Sequence, residues 1–338
     1  MRSLIFSLGL MCLSTLSNAF EAEDHAVFGD EDAGQVLRII STADIAFFKP
    51  MIQSYLSDHP DVAVDYTVAS SSELMRALYE EDLSFDLAIS SAMDLQTKLA
   101  NDGLAQRHSS SQTQNLPDWA VWNEMVFAFT QEPAAFVISN KAFEGLPLPE
   151  NRQQLINILR QNPEIFRGRV GTYDIRQSGS GYLFATQDAR ASDTYWRLTE
   201  VIGTLDPKLY CCTADMIDDV VSGELAIAYN VLASYAEQSA QSDAFTIILP
   251  SDFAIVMLRT VLIPTSSEKP ELAAGFLDFV LSQTFPRGTS PLLQSTMLDD
   301  ANQNALHRIR LGPGLLVYLD QFKNRSFIAE WESAILQD

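Results

Sequence analysis

Between residues 35 and 102 the chain alternates three times between a short apolar run, typical of a buried strand, and a longer segment whose apolar residues have helical spacing. The predicted strands are 35–40, 62–68 and 85–89, and the predicted helices are 46–56, 73–81 and 94–102. Parallel strands need a long crossover connection, usually a helix, so this alternation predicts a mostly parallel sheet flanked by helices. The chain is therefore expected to be an α/β protein.

A cluster of hydroxyl side chains follows each of these three strands. The clusters are Ser41-Thr42, Ser70-Ser71-Ser72 and Ser90-Ser91. In open α/β sheets, ligands bind outside the carboxyl ends of the strands, so the three clusters predict a pocket lined by hydroxyls and helix N-termini. Serine is also a common helix N-cap, and each cluster taken alone is compatible with that simpler role.

A fourth cluster, Ser178-Gly179-Ser180-Gly181, precedes a segment with helical spacing in the middle of the chain. Serine or glycine at a helix start leaves the first backbone N–H groups free, with the positive end of the helix dipole behind them. Such a position suits an anion or a hydroxyl-rich ligand. An ordinary capped helix after a glycine-rich turn is the alternative.

The rest of the chain predicts a second α/β lobe. Apolar runs near 128–136 and 242–256 cross between the two lobes, which predicts a clamshell with a ligand cleft between them. The expected boundaries are 35–130 and 247–338 for the first lobe and 131–246 for the second.

The first nineteen residues have the pattern of a secretory signal peptide. A short basic start precedes the apolar run 4–13, and small polar residues follow, with a predicted cut after Ala19. The apolar run is too short to span a bilayer, which argues against a membrane anchor. Because a signal peptide directs export, the mature protein is expected to be periplasmic. The acidic residues 20–34, which follow the predicted cut, show no periodicity and are predicted to form a loose leader.

Charge excludes two classes of partner. Lys and Arg number 22 against 44 Asp and Glu, giving a formal net charge of −22. A nucleic-acid-binding protein needs a basic footprint, and adsorption to an anionic membrane needs basic residues as well. The sequence predicts neither partner, and it predicts a monomer.

Cysteine and histidine give no sign of catalysis. Cys211 and Cys212 are adjacent, so they either close a strained vicinal disulfide or remain two thiols. The four histidines form no metal-binding motif, so neither a metal site nor a cofactor is predicted. The segment around Ser178 only partly matches a nucleophile elbow, because Gln177 occupies the place of its first glycine, and no enzyme activity is expected.

Four segments resemble the periplasmic solute-binding proteins of ABC transporters, in the branch that contains ferric-iron and hexose-phosphate binders. The segments are 40–66, 86–103, 167–189 and 222–236. The resemblance covers nearly all of the mature chain and implies the two-lobed type II periplasmic-binding-protein fold. It also implies delivery of a small-molecule ligand to an ABC transporter membrane permease.

By position, the resemblance implies a ligand site at strand ends and helix N-termini of both lobes. The implied ligand-binding residues are Thr42, Asp44, Ser71, Ser90, Ser91, Arg176, Ser178, Gly179, Ser180, Gly181, Tyr229 and Asn230. Arg176 would neutralise an anion, and a sugar phosphate or a carboxylate would fit this set of groups.

Two alternatives remain. Iron binders of this branch carry adjacent tyrosines where this chain has Tyr229-Asn230, so ferric iron ranks below an anionic organic solute. The tail 311–334 resembles a subgroup associated with membrane sensor kinases, which implies a ligand-presenting role as a second possibility. A helix packed on the first lobe is the simpler interpretation of this tail.

Overall fold

A computed structural model of the protein describes residues 20–30, 32–284, 298 and 305–337. The predicted signal peptide, residues 1–19, lies outside the described residues. The described chain forms two seven-stranded mixed sheets flanked by helices, which confirms the predicted α/β class. No helix in these ranges combines the length and the apolar composition that a membrane crossing needs.

Fourteen strands are described. They are β1 (Asp24–Phe28), β2 (Gln35–Ser41), β3 (Val62–Val68), β4 (Leu87–Ser90), β5 (Val121–Trp122), β6 (Val126–Ala128), β7 (Glu132–Ser139), β8 (Val170–Tyr173), β9 (Lys208–Tyr210), β10 (Ile227–Leu232), β11 (Phe245–Ile248), β12 (Ala254–Met257), β13 (Thr260–Leu262) and β14 (Leu306–Arg308).

Twelve α-helices are described with them. They are α1 (Ile45–Asp58), α2 (Ser71–Met75), α3 (Met93–Asn101), α4 (Ser111–Gln114), α5 (Arg152–Gln161), α6 (Pro163–Phe166), α7 (Gly179–Ala191), α8 (Thr194–Gly203), α9 (Thr213–Ser222), α10 (Ala233–Glu237), α11 (Pro270–Thr284) and α12 (Gln321–Ile335).

The first sheet has the order β1-β3-β2-β4-β13-β6-β5. Its centre is parallel, because β2 pairs with both β3 and β4 in that sense, and the other pairs are antiparallel. Strand β4 is buried along its whole length, as expected for a parallel strand covered by helices on both faces. The sheet with its helices forms the first lobe.

The second sheet has the order β14-β12-β7-β10-β8-β9, with β11 also paired to β7. Strand β7 is fully buried over eight residues and pairs antiparallel with β10, β11 and β12. Strands β10, β8 and β9 are parallel, so the helices that follow them begin at one edge of the sheet. This sheet with its helices forms the second lobe.

Two neighbouring segments carry the chain between the sheets, one between β6 and β7 and one between β12 and β13. They are hydrogen-bonded to each other: Phe129 N donates to Arg259 O at 3.0 Å, and Arg259 N donates to Thr130 Oγ1 at 2.9 Å. The sequence predicted two crossings, and the second lies slightly later in the chain than the predicted range. Paired crossings of this kind form a hinge between two lobes.

The acidic segment 20–34 is not a loose leader. Residues 24–28 form β1, an antiparallel edge strand on β3, and Phe20 N donates to Glu81 Oε1 at 2.8 Å. No strand is predicted for this segment because β1 is mostly exposed and therefore lacks the apolar alternation of a half-buried strand.

The carboxyl-terminal part divides between the lobes, whereas the sequence predicted that 247–338 belongs to the first. Strands β11, β12 and β14 pair in the second sheet, and only β13 returns to the first. An apolar run identifies a strand but not the sheet in which it pairs.

The tail that the sequence analysis interprets as one packed helix consists of two elements. A 3₁₀ turn, Pro313–Leu319, packs on α3, and α12 then starts after Asp320, whose carboxylate accepts from Phe322 N and Lys323 N. Helix α12 packs on α8 of the second lobe, so the expectation that it covers the first lobe is wrong.

The predicted helix 73–81 also differs from the structure. Helix α2 ends at Met75, and a π-helical turn follows over Arg76–Glu80.

Candidate functional site

A cavity that opens to solvent lies between the two sheets. We call it the central cavity. It is lined by Glu23, Thr42, Asp44, Ala69, Ser70, Ser71, Ser91, Tyr173, Gln177, Ser178, Ser180, Cys211, Cys212, Thr213, Ala214, Leu232, Tyr235 and Arg259. Both lobes and the second crossing segment contribute to this wall.

Three helices of ten or more residues begin at the cavity wall. Helix α1 starts after Asp44, α7 starts after Ser178, and α9 starts after Cys212. The positive end of each helix dipole lies at this end. Two of these ends come from the second lobe, so the cavity collects positive potential from both sides.

Hydroxyl groups connect the two lobes across the cavity. Ser91 Oγ of the first lobe lies 2.6 Å from Ser180 Oγ of the second, and it also lies 3.3 Å from Thr42 Oγ1. Ser71 Oγ accepts from Gly179 N at 3.0 Å. The lobes therefore meet through α7, and the structure is closed at this edge.

Gly179 is required for that close approach. A Cβ atom at this position would lie 2.4 Å from Ser71 Oγ and 3.0 Å from Ser71 Cβ. A side chain here would push the first turn of α7 away from the first lobe.

The cavity wall contains one buried cation, Arg259, which lies in the second crossing segment. Its Nε and Nη2 donate to the two carboxylate oxygens of Glu132 at 3.0 and 3.1 Å. Glu132 is itself held by Thr130 Oγ1 at 2.8 Å and Ser234 Oγ at 2.6 Å. The guanidinium lies over the ring of Phe47, with its carbon 5.0 Å from the ring centre.

Nη1 of Arg259 has no hydrogen-bond partner among the described residues, although the side chain is 1% exposed. A buried N–H group without a partner costs free energy, and native structures rarely leave one. Because Arg259 lines the cavity, a bound acceptor is a natural partner for this nitrogen.

Glu23 and Asp44 give another part of the cavity wall negative charge, in contrast to the positive charge of Arg259. Asp44 precedes α1 but its carboxylate caps no backbone N–H, so both oxygens remain available. Partial burial, together with repulsion from Asp44, Asp215 and Glu73, raises the pKa of Glu23. This part of the wall offers acceptors to hydroxyl or ammonium groups.

Cys211 and Cys212 are two free thiols in the same wall. Burial and the neighbouring Cys211 thiol raise the pKa of Cys212, which favours its protonated form. The structure thus contains the dithiol, one of the two alternatives that the sequence left open.

Tyr173 and Tyr235 are the tyrosines of the wall. Tyr173 Oη is hydrogen-bonded to Thr213 Oγ1, and burial raises the pKa of both phenols. Neither is the tyrosine that the sequence analysis placed in the site.

Six of the twelve residues implied by the resemblance line the cavity with their side chains. They are Thr42, Asp44, Ser71, Ser91, Ser178 and Ser180. Gly179 and Gly181 lie in the first turn of α7, and Gly181 N donates to Ser178 Oγ at 3.1 Å. Ser90 is buried, and its Oγ accepts from Ala92 N at 3.1 Å, so it caps a turn instead of facing the cavity.

Arg176 does not reach the cavity. It forms a bidentate ion pair with Asp174, two residues earlier, with distances of 2.8 and 2.7 Å, and its third nitrogen lies 3.3 Å from Glu332 of α12. A local acidic partner thus holds it against the carboxyl-terminal helix.

Tyr229 and Asn230 are buried behind the cavity. Tyr229 Oη and Asn230 Nδ2 both donate to Asp188 Oδ2 of α7, at 2.6 and 2.7 Å. Asn230 has a φ of 63° at a bulge in β10, which turns both side chains to the same carboxylate. Their structural role is to hold α7, whose first turn does reach the cavity.

Sequence reasoning missed the cavity residues that arrive by tertiary approach, chiefly Glu23, Tyr235 and Arg259. One signal was available for Arg259. It is the only charged residue in the apolar run 253–263, and a lone charge in a buried run needs a buried partner or a ligand.

Comparisons with known proteins give a consistent result. The family model described as bacterial extracellular solute-binding protein matches residues 37–285. The chain is 30% identical to the substrate-binding protein of an ABC transporter from Agrobacterium tumefaciens, with a TM-score of 0.86, and the match covers 93% of this chain and 99% of that one.

More distant structures share the fold. The periplasmic binding protein AfuA from Actinobacillus pleuropneumoniae, solved with fructose-6-phosphate, has 16% identity and a TM-score of 0.73 over 89% of this chain and 99% of that one. Iron-bound HitA from Pseudomonas aeruginosa has 15% identity and a TM-score of 0.66 over 88% of this chain and 99% of that one. No curated protein matches the chain.

Proposed function

The chain belongs to the family of bacterial extracellular solute-binding proteins, and from this premise we propose that it captures a small, hydroxyl-rich organic anion in the central cavity. Proteins of this kind carry a solute to an ABC transporter permease and do not transform it. The proposed ligand class is a sugar phosphate or a carboxylate, and the proposed location is the periplasm.

The observation that carries this proposal is Nη1 of Arg259, a buried charged donor with no partner among the described residues, on a side chain that lines a polar cavity. A phosphate or carboxylate oxygen would complete its hydrogen bonds, and hydrogen bonds to charged groups contribute about 1.5–3 kcal/mol. The N-termini of α7 and α9 line the same cavity and favour negative charge.

The acidic part of the wall defines the other end of the solute. Two carboxylates would repel a ligand that is anionic throughout, but they accept hydrogen bonds from hydroxyl groups. We therefore place the anionic group towards Arg259 and α7, and the hydroxyl groups towards Asp44 and Glu23.

Titration calorimetry with single hexose phosphates and hydroxycarboxylates tests this arrangement. Asp44→Asn and Ser180→Ala should each weaken binding by about three- to tenfold, the contribution of one hydrogen bond. Arg176→Ala is the matched control, because this cation lies outside the cavity, and it should bind as the parent protein does. A larger loss in Arg176→Ala than in both cavity variants would contradict the arrangement.

Ferric iron is the second candidate, and one observation favours it. Tyr173, Tyr235, Glu23 and Asp44 all line the cavity, and phenolate and carboxylate oxygens are hard ligands that suit a hard cation. The raised phenol pKa values and the bond from Tyr173 to Thr213 oppose it. A visible charge-transfer band with ferric citrate, lost in Tyr235→Phe, would establish iron in place of the organic anion.

The partner that we propose is the membrane permease, with a sensor kinase as the second candidate. The resemblance of the tail 311–334 to a subgroup associated with sensor kinases is the reason for considering a kinase. Helix α12 in this tail has an exposed aromatic side chain, Phe322, which is 81% exposed and could contact a partner. Solute-loaded protein should stimulate ATP hydrolysis by the reconstituted permease, and Phe322→Ser should leave this stimulation unchanged. Loss of stimulation in Phe322→Ser would assign that side chain to permease docking, and no stimulation by the parent protein would favour the kinase.

A further inference from the structure

Two thiols and one carboxylate, all possible metal ligands, lie close together at the start of α9, beside the central cavity. Cys211 Sγ, Cys212 Sγ and a carboxylate oxygen of Asp215 lie within 4.8 Å of one another. Cys211 Sγ is 4.0 Å from Asp215 Oδ2. A tetrahedral zinc ion with Zn–S bonds of about 2.3 Å holds two sulfur ligands about 3.8 Å apart, so the group needs only small side-chain movements to converge on one ion.

The helix explains why these three residues meet. Cys212 is the N-cap of α9 and Asp215 is its third residue, positions whose side chains lie on the same turn. The turn is anchored below by Tyr173 Oη at Thr213 and by Tyr210 Oη at Asp219. Neither thiol caps the helix, so both sulfur atoms remain available.

The surrounding charge also favours a cation. Two further acidic side chains, Glu23 and Asp44, line the same cavity, so negative groups that repel one another lie beside the three ligand atoms. A divalent cation would relieve this repulsion. The dipole of α9, equivalent to roughly half a positive charge, opposes a cation, but the two thiolates and the carboxylate that would bind the ion carry more negative charge than this.

We propose that Cys211, Cys212 and Asp215 form a binding site for one soft divalent cation of the Zn²⁺ class, with a fourth position open to the central cavity. Each thiol gives up its proton on binding, so two protons leave for each ion bound. Adjacent cysteines lack the usual spacing of a zinc motif, which is why the sequence alone predicted no metal site.

The test is a titration of the purified protein, kept reduced with a phosphine and stripped of metal, with Cd²⁺ alone. Cadmium–thiolate bonds absorb in the ultraviolet, so the band reports the sulfur ligands directly. We expect saturation at about one equivalent, and competition by Zn²⁺. Cys212→Ser should lower the affinity by more than about tenfold, since even outer-shell partners of a metal contribute that much.

Asp215→Asn and Asp218→Asn form the matched pair. Both remove one charge from α9, but Asp218 lies one turn further along the helix, outside the group of ligand atoms. Only Asp215→Asn should weaken cadmium binding. Equal effects of the two variants, no band, or a band that survives in the Cys211→Ser/Cys212→Ser protein would overturn the proposal.

This test is independent of the organic solute. Arg259→Lys alters the proposed anion contact and should leave the cadmium affinity unchanged, whereas Asp215→Asn changes a residue outside the cavity wall and should leave solute binding unchanged. Failure of one site is therefore distinguishable from failure of the other.

Discussion

Two arginines of the second lobe and its hinge are buried to the same degree, yet their surroundings differ. Arg152 and Arg259 are each about 1% exposed. All three nitrogens of Arg152 have partners: Nε donates to Tyr229 Oη, Nη1 to Asp252 and the Phe253 carbonyl, and Nη2 to Asp188. Arg259 donates through Nε and Nη2 to Glu132, and its Nη1 has no described partner.

The completeness of the hydrogen bonds distinguishes the two residues. Arg152 has a structural role, whereas we assign Arg259 to ligand binding. A buried charge is tolerated when its hydrogen bonds are complete, and the network around Arg152 is complete without any other molecule. That network holds Asp188 and with it helix α7. Arg259 sits at the junction of the two lobes and lines the cavity, so a solute bound there touches the hinge itself.

The largest expected effect is on stability, at the complete network. Arg152→Met leaves Asp188 buried without its cation, which should lower the free energy of unfolding by about 3–5 kcal/mol in urea denaturation. Arg167→Met is the control, because the Arg167–Asp206 pair is mostly exposed and should contribute less than about 1 kcal/mol. An equal decrease in the free energy of unfolding in both variants would contradict the structural role assigned to the buried Arg152 network.

The next effect is on affinity, at the incomplete network. Arg259→Lys keeps a positive charge beside Glu132 but loses the guanidinium fork, so solute binding should weaken by roughly 10- to 100-fold. Arg176→Lys makes the same chemical change outside the cavity and should leave the affinity unchanged. Titration calorimetry of both variants measures these affinities. An Arg259→Lys protein that binds the solute as tightly as the parent protein would contradict the proposed role of Nη1.

A smaller effect is expected at Gly179, where the helix held by the Arg152 network meets the first lobe. Gly179→Ala should prevent full closure and weaken solute binding by about tenfold, and solution scattering should show a more extended liganded protein. Adding Ser71→Gly removes the two closest of the atoms that a new Cβ would meet and should restore closure. Gly314→Ala, at a position with open space, is the control.

The smallest effect concerns a buried charge with no cation beside it. Burial raises the pKa of Asp94 to about 7, well above the value near 3.9 of an unfolded chain. The folded state therefore binds a proton at Asp94 more tightly, so the contribution of this group to stability is greatest below pH 4 and falls as the pH rises through 7.

Asp94→Asn should flatten this dependence and make the variant more stable than the parent protein at pH 8. Denaturation curves at pH 5 and pH 8 measure it. A parent protein that gains stability between these two pH values, with the same gain in the variant, would contradict the raised pKa.

The sequence predicted the parts of the site that local chemistry determines. Ser71 and Ser91 closely follow apolar runs, and Ser178 directly precedes a segment with helical spacing. Hydroxyls at such positions lie at strand ends or cap helices whichever way the lobes pair. The serine–glycine cluster 178–181 likewise predicts that the N-terminal end of α7 lies at the ligand site.

The other parts depend on tertiary partners. Arg176 looked available beside a serine–glycine loop, but Asp174 two residues earlier holds it. Tyr229 and Asn230 end a strand, but a bulge directs both towards Asp188, and no periodicity reveals a bulge. Arg259 reaches the cavity only because two distant crossing segments pair, which a single run of residues does not encode.

Thermal unfolding of the purified protein against a panel of hexose phosphates, di- and tricarboxylates, inorganic phosphate and ferric citrate tests the central claim most directly. A ligand that binds only the folded state stabilises it by about 2.7 kcal/mol at a hundredfold excess over the dissociation constant. We expect the midpoint to rise with a hydroxylated organic anion, and this rise to be lost in Arg259→Lys but kept in Arg176→Lys. A rise with ferric citrate alone, or an equal rise in both variants, would contradict the account.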